Sequence, residues 1–438
     1  MRKFLALILT PLVLLAGCGG SGTSTMSAPP PPPPPSPQVI AKVGPPNVEG
    51  LILDAGPTAL TTPAINTAFI SVTVCVHGTT TCQTIDHIEV DTGSSGLRIL
   101  ADASITPTGT FSLPLDPVLD SNNNPLAECL QFVDGSSWGS VRNADITLPN
   151  STQSATNVRV QVIGDASVGG PNGEPSSCKV TPPENTVHLF GANGIFGVGP
   201  FINDCDSNGP CAPQNPPYAA TYYGCPTPTT CATTTATLAQ QVQNPATLLV
   251  NPTTKAMTDT NGVIVELPAV PANGAPASTL PVGSLVFGIG TESNNSLGSA
   301  TKMPASGYPT QALLTATVNG MMYPNSYLDS GSDANIFPTS IPQCVPNGTV
   351  NAGFLCPNPS PVSLTASMQG SSGMAPADFS VANATQLFAT PNVMFSNLGA
   401  ANTDNTSVDF GMAFFYGRNV FTGFEVVGTP GTPPYFAY

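Results

Sequence analysis

Positive charge is what this sequence most lacks: 10 lysines and arginines stand against 25 aspartates and glutamates in 438 residues, a formal charge of −15. With no basic run to neutralise phosphates, nucleic acid is excluded as a partner. Histidine is nearly as scarce, and His77, His87 and His188 form no ligand spacing with the cysteines, so no metal site is expected. Long apolar runs are missing too. The stretch Phe4 to Leu15 is too short to span a membrane as a stable helix. Heptads and long amphipathic helices are equally hard to find among 49 prolines and 42 glycines. That composition favours many short strands joined by turns, so the expected class is all-β. Length allows two domain-sized units, and a 40% hydrophobic content gives each a core.

Arg2 and Lys3 precede the Phe4–Leu15 run, which has the anatomy of an export signal. It ends in Leu15-Ala16-Gly17-Cys18, which resembles the bacterial lipobox. The resemblance implies that residues 1–18 are a lipoprotein signal ending at Cys18, the cysteine that is acylated and inserted in a bilayer. Residues 19–45 then form a tether whose seven prolines, Pro29 to Pro35, make an extended spacer. The expected location is the bacterial cell envelope, facing the periplasm or exterior, with the outer membrane preferred. A monomer is expected.

Of the 11 cysteines, ten remain once Cys18 is set aside, an even number in an oxidising compartment. Sequence-local pairing suggests Cys75–Cys82, Cys205–Cys211, Cys225–Cys231 and Cys344–Cys356, with Cys129–Cys178 by default. Sequence alone does not fix this connectivity.

Asn66 to Leu100 alternates and is rich in Ile, Val and Thr, with a turn at His77–Thr81 between two strand-like runs. The second run leads into Val90-Asp91-Thr92-Gly93-Ser94-Ser95-Gly96-Leu97-Arg98. Glycine allows a tight turn there, and small hydroxyls can hydrogen-bond the carboxylate and nearby backbone. A single such loop is also how an ordinary turn is built. The pattern returns, however, in Leu328-Asp329-Ser330-Gly331-Ser332, again after strand-like alternation from Leu313 to Tyr323. An internal repeat with one carboxylate per copy is what a pseudo-twofold active site requires.

From about Pro46 onward the chain resembles the pepsin-like aspartic proteases. Besides the two loops, the segment from Phe132 looks like that family's flap hairpin. Residues 193–199 and 283–290 and the segment from Asp409 look like its later strands, in the right order. With its lipobox and proline stalk, the chain also resembles a group of bacterial pepsin-like lipoproteins. The resemblance implies two β lobes, 46–292 and 293–438, with a cleft and flap between them. It implies Asp91 and Asp329 as the catalytic pair, sharing one proton and activating a water that attacks a peptide carbonyl. Thr92, Gly93, Ser94, Ser330, Gly331 and Ser332 would support the loops. Phe132, Asp134, Gly135, Ser136, Trp138 and Arg98 would belong to the flap and substrate cleft, with a packed aromatic an equal reading of Trp138. An extended peptide or protein would be the substrate, with no cofactor.

Some positions depart from that family. Phe132 stands where tyrosine is usual, Arg98 where a tryptophan bonds that tyrosine, and Asp409 where an apolar residue is expected. These favour the alternative reading, a catalytically silent binding lipoprotein with the same architecture. The long stretch 201–281 is expected to be a disulfide-tied surface insertion. It contains a helix-like run, Thr237 to Gln243, and a strand-like run, Gly262 to Leu267. Asp204 and Asp206 are expected to be solvated turn residues.

Overall fold

The alternating run after Asn66 folds as two strands, Phe69–Val76 and Cys82–Asp91, paired antiparallel and stapled by Cys75–Cys82. In the computed structural model, residues 38–132, 135–179, 182–205, 209, 211, 221–346, 353–428 and 431–438 are described. Val72 and Val74 turn inward while Ser71 and Thr73 face outward, the period-2 pattern of a half-buried sheet. From Cys82–Asp91 the pairing continues through Gly194–Val198, Ser95–Leu100, Ser154–Ile163 and Ser136–Thr147. The last of these returns to Phe69–Val76, so the sheet closes into a barrel. Closure leaves no sheet edge around Asp91. The interior is filled by fully buried Leu97, Ile99, Val158, Val160 and Phe196, each contributing about 1.5–3 kcal/mol by its burial.

A second run of antiparallel strands joins distant parts of the chain: Val48–Leu53, Ser278–Phe287, Gly262–Leu267, Arg418–Gly423 and Tyr435–Ala437. The all-β expectation holds, with 43% strand and 6% helix, so strand pairing rather than helix packing positions the site. Residues 38–438 form one compact unit.

The stretch 201–281 is more integrated than the surface loops expected of it. Tyr222–Thr227 adds to the strand Leu126–Gln131, with Tyr222 and Tyr223 buried, and Gly262–Leu267 lies between two partners in mid-sheet. Thr237 to Gln243 is not a helix. The Gln240 side chain caps Thr237 N in a single turn, and Pro245 follows too soon for helix nucleation to be repaid. Asp204 is a correction as well: its side chain is buried against Arg98, not solvated. Asp206 lies outside the described residues. The tether ends earlier than residue 45, because Gln38 bonds Leu267 O at 2.6 Å and Ala41 N donates to Glu266 Oε2 at 2.6 Å. All five disulfides pair as the sequence suggested. They mark an extracytoplasmic protein, and among the described residues no helix is long and apolar enough to cross a membrane.

Candidate active site

Each candidate aspartate ends a strand whose chain turns back at once. In the first copy, Cys82–Asp91 runs parallel to Gly194–Val198; that strand lies antiparallel to Ser95–Leu100, which is parallel to Ser154–Ile163. In the second, Met321–Leu328 runs parallel to Asp409–Phe410; that strand lies antiparallel to Asn335–Phe337, which is parallel to Gly399–Ala401. The repeat read in sequence is therefore a repeat of strand pairing. It also aligns residues: Ile195 faces Glu89 and Phe196 faces Val90, while Asp409 faces Tyr327 and Phe410 faces Leu328.

The two loops are locked together. Thr92 N donates to Ser330 Oγ at 3.0 Å and Ser330 N donates to Thr92 Oγ1 at 2.9 Å. Each hydroxyl donates onward across the pair, Thr92 to Leu328 O at 3.3 Å and Ser330 to Val90 O at 2.7 Å. Both residues are buried, so every one of these bonds is shielded from water. Glycine is needed beside each carboxylate. A carbon added at Gly93 would lie 2.6 Å from Asp329 Cγ, and one at Gly331 would lie 2.8 Å from Asp91 Oδ1. The same glycines donate backbone N–H to their own aspartates, Gly93 to Asp91 Oδ1 at 2.6 Å and Gly331 to Asp329 Oδ1 at 2.8 Å.

The outer oxygens are treated unequally. Ser94 Oγ donates a short bond to Asp91 Oδ2. Ser332 Oγ lies 3.3 Å from Asp329 Oδ2 but 2.5 Å from Asp409 Oδ2. A carboxylate with stronger donors keeps its charge more easily. Burial first, then the Asp91 and Asp409 carboxyls, push Asp329 well above the ordinary carboxyl range. The two carboxyls face one small space, since a carbon added at Gly331 would lie 2.8 Å from Asp91 Oδ1 and 3.2 Å from Asp329 Oδ1. A like charge this close favours the protonated form of Asp329.

In front of the pair lies a cleft of about 910 Å³, with Leu60, Ile65, Phe132, Phe190, Phe354 and Phe388 among its walls. No lysine or arginine among the described residues lines it, while Glu89, Glu184, Asp204 and Asp333 do, with His188 as the one basic ring. The hairpin formed by Leu126–Gln131 and Ser136–Thr147 brings Phe132 to this cleft, where it stacks edge-on against Phe190 at 5.8 Å. Phe132 N bonds Gly135 O at 2.8 Å, and Ser136 is buried behind it. Asp134 lies outside the described residues.

Two expected cleft residues are elsewhere. Trp138 is fully buried, with Nε1 donating to Val168 O at 2.9 Å and its ring edge-on to Tyr223 beside Cys129 and Cys178. On an alternating strand its neighbours decide its face, and this one points into a satellite core. Arg98 is also fully buried. It donates to Ser95 O at 2.8 Å, Glu128 Oε1 at 2.7 Å and Asp204 Oδ2 at 3.2 Å. At the position where Arg98 replaces that family's tryptophan, an ion cluster links the strand leaving the first loop to the hairpin strand and to the 201–281 stretch. Burial, with the Glu128 carboxylate second, pushes Asp204 well above its ordinary range, and Tyr222 Oη donates to it at 2.7 Å. Sequence reading missed Glu128 and Asp204 as members of this cluster. It noted Asp409 only as a departure, although aligning Ile195-Phe196-Gly197 with Asp409-Phe410-Gly411 would have put that carboxyl beside the second loop.

A family model described as "Protein of unknown function (DUF3443)" matches residues 44–438, and the chain belongs to that family. No curated protein matches the chain.

Proposed function

For this member of a family without an assigned activity, we propose a membrane-tethered aspartic endopeptidase with the bilobal pepsin-like fold, anchored through an acylated Cys18. The observation that carries the reading is that the Asp91 and Asp329 carboxyls lie together, on loops that repeat the same strand pairing and exchange reciprocal hydrogen bonds. An inert scaffold has no need to bury two carboxyls against each other, since the arrangement costs stability unless a proton is shared. Asp91 accepts the stronger donors and serves as the base. Asp329 keeps the proton and serves as the acid. Asp91 removes a proton from a water held between the two carboxyls, the water oxygen adds to the peptide carbonyl, and Asp329 protonates the carbonyl oxygen. Collapse of the tetrahedral species then passes a proton to the departing amine. The residues of the site supply both acid and base, and the route calls on no metal or organic cofactor.

The cleft favours an extended peptide with apolar side chains, bound as an added strand beneath the hairpin. Its acidic walls disfavour aspartate and glutamate near the scissile bond. Peptide-library cleavage by the full chain between about pH 3 and 8, with Asp91→Asn and Asp329→Asn as controls, tests the reading over the range where shared-proton pairs titrate. Cleavage lost in both variants supports it. Phe132, which brings no hydroxyl to the cleft, favours the second reading, a silent binding protein. Absence of cleavage by folded protein would select that reading.

A further inference from the structure

Asp409 is a carboxyl with nothing to neutralise it. It is buried, its Oδ1 has no hydrogen-bond partner, and its Oδ2 accepts a hydrogen bond from Ser332 Oγ at 2.5 Å. The charges acting on it are those of Asp91 and Asp333, and it acts in turn on Asp329 and Tyr327; every one of these groups is an acid. Its neighbour on the other side, Ile336, brings no charge. None of the ion pairs among the described residues includes it. The fold does not demand a carboxyl there, because Ile195 occupies the matching position of the first copy.

We propose that Asp409 makes the site a cluster of three carboxyls holding two protons, and that it gives up its proton before the Asp91–Asp329 pair loses the one it shares. The pair thereby stays in its singly protonated form through neutral pH. The inference rests on the catalytic reading of the pair for its meaning, though not for its geometry.

The position of the second proton follows from the contacts. On Asp409 Oδ1 it would be a buried donor without an acceptor. On Oδ2 it meets Ser332 Oγ, which leaves the serine hydrogen free for Asp329 Oδ2. The order of loss follows from Coulomb repulsion. Ionising Asp409 places the second negative charge beyond Ser332, whereas ionising the pair first would place two charges on carboxyls that lie together. Once Asp409 is charged, it holds the pair's remaining proton more tightly. Burial, reinforced by Asp91 and Asp333, pushes Asp409 up to about 8, and Asp329 is raised as well.

The test compares the full chain with Asp409→Ile, the residue of the first copy, and Asp409→Asn, which preserves a polar partner for Ser332. With each profile scaled to its own maximum, the acid limb of cleavage against pH should fall at the same pH in all three. The limb on which activity falls toward alkali should then move to lower pH by at least about one unit in both variants. An Asn variant that keeps the wild-type limb would overturn the proposal, since it would show Asp409 acting only through shape and hydrogen bonding. Thermal unfolding gives a readout independent of catalysis. The Tm of wild type relative to Asp409→Asn should fall as pH rises from about 4 to about 8, because only the wild type must lose a proton held by the fold. A difference that stays flat would overturn the proposal. Absence of cleavage by wild type at every pH would remove the protease reading, and the unfolding series would then decide the proton on Asp409 alone.

Discussion

Arg98 and Glu128, both fully buried, pair at 2.7 Å between the strand that leaves the first aspartate loop and the strand that enters the hairpin over the cleft. Asp204 closes the same cluster from the 201–281 stretch at 3.2 Å. Removing the cation would leave two carboxyl groups buried without compensation. Arg98→Ala should therefore destabilise the fold by about 3–5 kcal/mol, read from denaturant unfolding. Arg98→Ala combined with Glu128→Ala should cost less than the sum of the single changes. Additive losses would show that the pair does not couple the two strands.

The reciprocal bonds of Thr92 and Ser330 carry a different expectation. Alanine at either position removes a hydroxyl and leaves the partner loop's backbone N–H buried without an acceptor, at a cost of about 1–3 kcal/mol. Thr92→Ser retains the oxygen and should recover most of that loss. Cleavage should decline more than stability does in the alanine variants, because the proposed mechanism depends on the placement of one carboxyl relative to the other to a fraction of an ångström. Equal losses in the serine and alanine variants would refute a role for the hydroxyl.

Asp329→Asn should separate stability from activity. The wild-type carboxyl is raised by burial and by its acidic neighbours, so its stability contribution is full below the ordinary carboxyl value and declines as pH rises above it. The amide does not titrate. The variant should gain Tm relative to wild type on going from about pH 4 to 7, while cleavage falls by at least about 100-fold, the usual worth of a positioned acid or base. A relative Tm that does not change with pH would mean that Asp329 carries no raised proton.

Much of the barrel was legible because local chemistry and tertiary pairing agree. The alternation around Val72 and Val74, the turn at His77–Thr81 and the two Asp-hydroxyl-Gly loops each state their geometry within a few residues. The disulfides were legible for the same reason, since most partners lie close in sequence. What failed depends on long-range company. Trp138 was assigned to the cleft by its place in a hairpin, but its face is set by Val168, Cys178 and Tyr223. Asp204 read as a turn residue until Arg98, 106 residues earlier, was placed against it. Thr237 to Gln243 has helix-forming residues, yet it is too short to form a helix before Pro245 ends the run.

The pH dependence of the whole fold provides a final prediction. Burial raises Glu49 and Glu266 to about 7 each, so the stability tied to their protonation is complete below 4.5 and is lost as pH climbs through 7. His87 is raised to about 9: burial opposes its charge, but the hydrogen bonds and charges of Asp54 and Asp86 overcome that penalty. Its contribution is complete below 6.5 and is lost as pH rises through 9. In the other direction Asp86 is lowered, chiefly by its bond to His87, and Asp165 is lowered by Ser140, Ser167 and Arg142 against the opposing effect of burial. Their contributions vanish only as pH drops below 3.8. The balance places maximum stability at mildly acidic pH, between these two sets of losses. Calorimetric scans should show Tm falling steadily from about pH 5 to 9, with Glu266→Gln flattening the lower part of the slope and His87→Gln the upper part. A Tm that climbs toward neutrality would contradict the buried, protonated state of Glu49 and Glu266.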